Sequence, residues 1–228
     1  MRRAVLGLAG LLAAAYLPVA GAATVTAQPP VEKARHEQFL ARLGGVDESA
    51  VRAARVEAVA KRLLAASDLS RCNCTFEFFV VRTGDAVAYS MTGGYVYISP
   101  AMLQLTATES ELAAVLAHEM AHLALGHAIL RQQVFEGGGD PSEKAAELDA
   151  LGRAMEFEAD AFGIRMLAAA GFDPGASARL LERMGAVMAK AALQATQGGT
   201  QYPSAIRSTI RERAGVAAAI AGSLSSGG

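Results

Sequence analysis

Between Thr108 and His127 the chain reads as an apolar helix with the array His118-Glu119-Met120-Ala121-His122 written into it. No other stretch constrains the fold as strongly. Histidines four apart on an α-helix project from one face with Cβ atoms about 5–6 Å apart, so two imidazoles can reach a single ion at about 2.0–2.1 Å, a geometry that suits zinc. Glu119 follows the first histidine directly and would flank the ion without ligating it. From there its carboxylate can take a proton from a water whose pKa the metal has lowered to about 7, which is hydrolytic chemistry. The plainer explanation is two core histidines that match the pattern by accident. With four histidines in 228 residues, the chance of this spacing with a glutamate after the first is below about one in a hundred, although short motifs always match by accident somewhere.

Helix formation has its own support. Thr106-x-x-Glu109 and Thr108-x-x-Glu111 both fit the capping-box pattern, and Leu112, Val115, Leu116, Leu123, Leu130 and Val134 fall on one apolar stripe with no proline among them. Gly126 costs about 1 kcal/mol relative to alanine in a helix, and within a continuous helix it is expected to serve close packing.

A catalytic zinc usually takes three protein ligands plus water, so a third donor must come from elsewhere. Glycine three residues and histidine six residues after the second ligand would supply it from the same segment, but Leu125 and Ala128 stand there and His127 is one position short. The next source is Glu156-Phe157-Glu158-Ala159-Asp160. On a helix Glu156, Asp160, Gly163 and Leu167 share a face, whereas Glu158 lies about 200° around from Glu156. Glu156 is therefore the expected third ligand, and Asp160 the carboxylate that accepts the far N–H of a ligating histidine and fixes its tautomer. Two like charges four apart repel unless a cation or an imidazole stands between them. Gly163 would let the two helices approach closely, and Glu158 reads as a solvated side chain.

Three segments in this order, Gly93 to Ser99, Glu111 to His122 and Glu156-x-x-x-Asp160, resemble the peptidase family that contains HtpX, the CAAX prenyl proteases and the bacterial periplasmic proteases BepA and LoiP. The likeness covers roughly residues 45 to 215. It implies a zincin-like, gluzincin-type domain of the α+β class, mainly helical, with a small β-sheet beside the zinc helix. It also implies one zinc per chain on His118, His122 and Glu156, with Glu119 as general base and polypeptides as substrates. In zincin peptidases extended substrate lies along a sheet edge, so Tyr95, Val96, Tyr97 and Ile98 are expected near that edge. Many exported relatives carry His-Pro and then an arginine where this chain has Tyr202-Pro203. Tyr202 is thus open to three roles: donor to the oxyanion, cover over the site, or neither. Arg207 or Arg211 is the expected arginine.

Met1-Arg2-Arg3, the uncharged stretch Ala4 to Ala23 and the small residues at its end read as a secretory signal cut near Ala22 or Ala23. The same 20 residues are just long enough to stay as an anchor. Export implies the periplasm, with membrane association as its variant. The length and a hydrophobic content of 52% suit one domain, expected over residues 46–222 after a linker and helix at 24–45 and before a frayed tail at 223–228. A net charge of −1 gives no electrostatic reason to expect nucleic acid. Cys72 and Cys74 are two apart, where an intrachain bridge would be strained, so free thiols or a bond to another chain stand beside it. Along the chain, helices are expected at 31–43 and around Val56 to Leu64. Strands follow in Thr75–Arg82, Ala86–Ser90 and Tyr95–Ile98. A helix, or a pair broken near Gly152, should start at Pro141 and stop at Gly171, with two more helices after it. The function read from this is an exported zinc metalloendopeptidase for unfolded or misassembled envelope proteins. The competing reading is a chaperone-like client-binding protein with a mainly structural zinc.

Overall fold

The protein was analysed as a computed structural model that describes residues 29–67, 69, 75–195 and 204–225. The signal segment, most of the linker, Cys72, Cys74 and the Tyr202-Pro203 pair lie outside the described residues. The chain is mainly helical with a small three-stranded sheet, as the sequence predicts.

Helix α1 (Pro29–Arg42) ends at Gly44-Gly45 and is followed by α2 (Ala50–Ala66), which Ser49 caps by accepting from the Arg52 N–H. The apolar spacing of α2 puts Val56, Val59, Ala60 and Leu63 into the core. Three short strands follow: β1 (Glu77–Val80), β2 (Ala88–Met91) and β3 (Tyr95–Ile98). Their spatial order is β1-β3-β2, with β3 parallel to β1 and antiparallel to β2. The expected substrate strand, Tyr95 to Ile98, is therefore the central strand. Its backbone groups are paired on both sides, so it stands next to the edge strand and cannot itself take an added strand. Among the described residues the edge that faces the zinc helix belongs to β2. Strand alternation sends Val96 and Ile98 into the main core, while Tyr95 and Tyr97 meet α1 on the opposite face, where His36 stacks on Tyr95 at 4.1 Å and bonds the Tyr97 hydroxyl at 2.7 Å.

Ser99 and Pro100 start a helix that local pattern reading passes over, α3 (Pro100–Leu105). Helix α4 (Glu109–Ala124) begins at Thr108, whose hydroxyl accepts from the Glu111 N–H. Glu111 is then held by Ala107 N–H and by a two-pronged pair with Arg183 at 2.6 and 2.9 Å. Nine α4 side chains from Glu111 to Ala121 are buried, so this is the central helix of the domain.

The helix does not run through to Val134. It stops at Ala124, and α5 (His127–Glu136) leaves at 49° to it. Gly126 sits at φ +68°, the left-handed region that favours glycine, and a Cβ there would meet nothing within 4 Å. Its role is thus to turn the chain, not to pack it closely. Helix α6 (Pro141–Ala169) is one unbroken 29-residue helix through Gly152, capped by Asp140 and ended at Gly171. Helices α7 (Ala176–Ala195) and α8 (Ser204–Ser225) pack on each other, α7 also on α4 and α8 on α6, and α8 extends into the segment expected to fray. Among the described residues no single helix is long and apolar enough to cross a membrane.

Candidate metal centre

The crossing of α4 and α6 makes the site. At Gly163 an added Cβ would lie 3.2 Å from the Ala117 carbonyl carbon and the His118 nitrogen, so glycine is what allows α6 to rest against the α4 backbone. Close approach there brings the acidic face of α6 over the two histidines. His118 Nε2 and His122 Nε2 stand 3.1 Å apart, Glu156 Oε2 is 3.4 Å from the former, and Glu156 Oε1 is 3.5 Å from the latter.

Donors about 2.05 Å from a tetrahedral ion are about 3.3 Å from one another, so these three separations are those of one face of a zinc polyhedron. The donor set is also the right chemistry, because two imidazole nitrogens and a carboxylate, the ligand types zinc takes, converge on one point. Among the described residues this trio is the group able to hold a metal ion. Glu119 follows His118 on the same helix and is half-buried, and the Ser90 hydroxyl of β2 bonds its carboxylate.

Behind the donors, Asp160 Oδ1 lies 3.0 Å from His118 Nδ1, close in distance although the ring N–H is not aligned along it. Asp160 is itself gripped by Arg213, with Nε to Oδ2 at 2.7 Å and Nη2 to Oδ1 at 2.8 Å, while Arg213 Nη1 reaches Glu156 Oε2 at 2.6 Å. One guanidinium therefore fixes both carboxylates of the Glu-x-x-x-Asp pair, which its planar fork suits better than an ammonium would. This is the site arginine. Arg211 is exposed, and the side chain of Arg207 lies outside those described. A signal was present in the sequence: Ile210, Ala214, Ala217 and Ala221 form the buried stripe of α8, and Arg213 flanks that stripe.

The protein groups alone set strong fields here. Burial disfavours a charged His118, but bonding to Asp160 and Glu156 outweighs it and lifts its pKa to about 9. His122, buried beside His118, is pushed down to about 3. Burial opposes the charge on Glu156 too, yet His118 and Arg213 hold it at about 2. Glu119 is raised by burial, against the lowering effects of His118 and Ser90. An anionic Glu156 and a neutral His122 are the forms a zinc ion takes as ligands.

Ser90, His122, Leu123, His127, Met155 and Glu156 are among the residues lining an adjoining cleft of about 150 Å³. His127, three residues beyond the end of α4, is also at the site. Its Nδ1 is 2.8 Å from His122 Nδ1 and its Nε2 is 3.3 Å from Glu158 Oε2. Glu158 is exposed and points away from the donor trio, as the helical wheel predicts, but it is bonded to His127 rather than simply solvated.

Fold and site together define a candidate metal centre in which two histidines four apart on one helix are joined by a glutamate from a later helix. Residues 50–138 match the family described as Peptidase family M48. That match contains the whole zinc helix and ends before Glu156, so the third donor stands on the geometry above. Among curated proteins, the chain is 32% identical to the mitochondrial metalloendopeptidase OMA1 of Schizosaccharomyces pombe, over 58% of this chain and 43% of the relative. It is 29% identical to the beta-barrel assembly-enhancing protease of Yersinia pestis and 27% identical to that of Escherichia coli strain K12, each over 48% of this chain and 28% of the relative. The chain thus spans less than half the length of these relatives.

Proposed function

We propose that the protein is an exported zinc metalloendopeptidase that cuts unfolded or misassembled proteins of the cell envelope. The observation that carries this is the convergence of His118, His122 and Glu156 at separations of 3.1 to 3.5 Å with Glu119 on the adjoining turn. When bound, zinc supplies a Lewis acid for the scissile carbonyl and a water of pKa about 7. Glu119 takes the proton of the attacking water and returns it to the leaving amine. Arg213 and Asp160 hold His118 and Glu156 in place and touch no substrate.

Substrate would add as an extra strand to the free edge of β2, where Ser90 adjoins both Glu119 and the cleft. Pairing of this kind uses main-chain hydrogen bonds and so asks for extended chain more than for a particular sequence, which suits an unfolded client. The names of the assembly-enhancing proteases support the envelope as the place of action. The segment Met1 to Ala23 supports export to the periplasm.

Glu119→Gln tests the reading. The variant is expected to keep its zinc and to lose casein cleavage, and a zinc-loaded Glu119→Gln protein that still cut at the wild-type rate would remove the mechanism. If a chelator left aggregation suppression intact in a protein that never cleaves, the client-binding alternative would take its place.

A further inference from the structure

We propose that His127 and Glu158 form a positioning relay that locks the metal-ligating tautomer of His122. The proposal deepens the zinc-site reading above and rests on it.

Each ligating imidazole needs a partner for its other nitrogen, since that partner orients the ring and selects which nitrogen carries the proton. His118 has Asp160. His122 has no carboxylate at its far nitrogen; it has another imidazole, with Nδ1 facing Nδ1 at 2.8 Å. Two Nδ1 atoms at that distance require one to donate and the other to accept. With Nε2 of His122 directed at the donor trio, a neutral His122 carries its proton on Nδ1 and must donate. His127 then accepts at Nδ1, carries its own proton on Nε2, and gives it to Glu158 Oε2 at 3.3 Å. The arrangement is consistent from end to end and needs no charged imidazole.

The backbone is built to present this contact. On a continuous helix, residues five apart lie about 140° around from each other, so His127 could not face His122 if α4 ran on. The left-handed turn at Gly126 and the 49° bend between α4 and α5 bring the ring of His127 back across His122, with ring centroids 4.9 Å apart. His127 is 2% exposed, one of few buried polar side chains outside the donor set. Packing alone would be served as well by leucine or phenylalanine. The histidine is explained by its second nitrogen, which hands the requirement for an acceptor out to a carboxylate at the surface. His127 and Glu158 are thus positioning residues that act through His122.

The test is the zinc dissociation constant of the full chain, measured by competition with a chelating dye, for wild type, His127→Phe, His127→Gln and Glu158→Ala. Zinc binding should weaken about 10–100-fold in His127→Phe, the range seen when such supports are removed. His127→Gln, whose side-chain oxygen can still accept from His122, should stay within a few-fold of wild type, and Glu158→Ala should fall between. Equal affinities for His127→Phe and wild type would overturn the relay, and so would equal losses in His127→Phe and His127→Gln, which would assign the position to packing. If His127→Phe does not fold, Glu158→Ala decides, because its side chain is exposed, and wild-type affinity there overturns the proposal. A wild-type protein that binds no zinc would instead refute the site on which the relay depends.

Discussion

Gly163→Ala places one methyl group at the contact that sets the distance between α4 and α6. Its Cβ would lie 3.2 Å from the Ala117 carbonyl carbon and the His118 nitrogen, and 3.4 Å from the Ala117 oxygen. Carbon contacts relax at about 3.5–4.0 Å, so α6 must retreat by about 0.3–0.8 Å. Overpacking of this size costs about 1–3 kcal/mol, and alanine returns about 1 kcal/mol of helix propensity. The expected net loss of stability is therefore small, about 0–2 kcal/mol. The metal site is less forgiving, because Glu156 and Asp160 ride on the helix that moves and ligand distances are held to within about 0.2 Å. Zinc affinity should drop about tenfold or more while the protein remains folded. Urea denaturation and dye competition for zinc, run on the same preparation, read the two effects separately. A Gly163→Ala protein that is more stable than wild type and binds zinc as tightly would refute the claim that this glycine sets the spacing.

Arg213→Ala removes the cation shared by Glu156 and Asp160, and leaving a buried charge without its partner costs about 3–5 kcal/mol; chemical denaturation should find a loss of that order together with weakened zinc binding. Gly126→Ala forces a Cβ into the left-handed turn at a cost of about 1–2 kcal/mol, and it should lower zinc affinity through the displaced His127 ring, measured by the same dye competition. Burial raises the pKa of Glu111, but the hydrogen bonds from Arg183 and the backbone prevail and leave it depressed. Its contribution to stability is therefore complete above the unfolded-state value of about 4.3 and is lost as pH falls through the lower folded value. Melting curves taken downward through that window should decline more steeply for wild type than for Glu111→Gln, and parallel declines would contradict the assignment.

Much of the site was legible because it obeys local helical geometry. The spacing of His118 and His122 and the shared face of Glu156 and Asp160 depend only on residues four apart, and the preference for Glu156 over Glu158 needs only the angle between them. What escaped sequence reading depends on how elements meet. The apolar stripe continues through Leu130 and Val134, so nothing local announces that Gly126 breaks the helix, and with the break hidden His127 looks like a ligand misplaced by one residue. Strand order is equally silent: β3 is adjacent in sequence to β2, and only the parallel pairing with β1 makes it central. Arg213 was hidden by counting from Tyr202-Pro203 rather than from the buried face of α8. At Gly152 the sequence leaves one helix or two open, and the structure selects one, since a glycine inside a helix need not end it when Asp140 caps one end and Gly171 closes the other.

The most direct test of the metal centre is zinc content after purification and dialysis, compared for wild type, Glu156→Ala and Glu158→Ala. One zinc per chain is expected in wild type, with near-complete loss in Glu156→Ala and retention in Glu158→Ala at this stoichiometric level. Full zinc in Glu156→Ala, or loss in Glu158→Ala alone, would contradict the assignment of Glu156 as the third ligand.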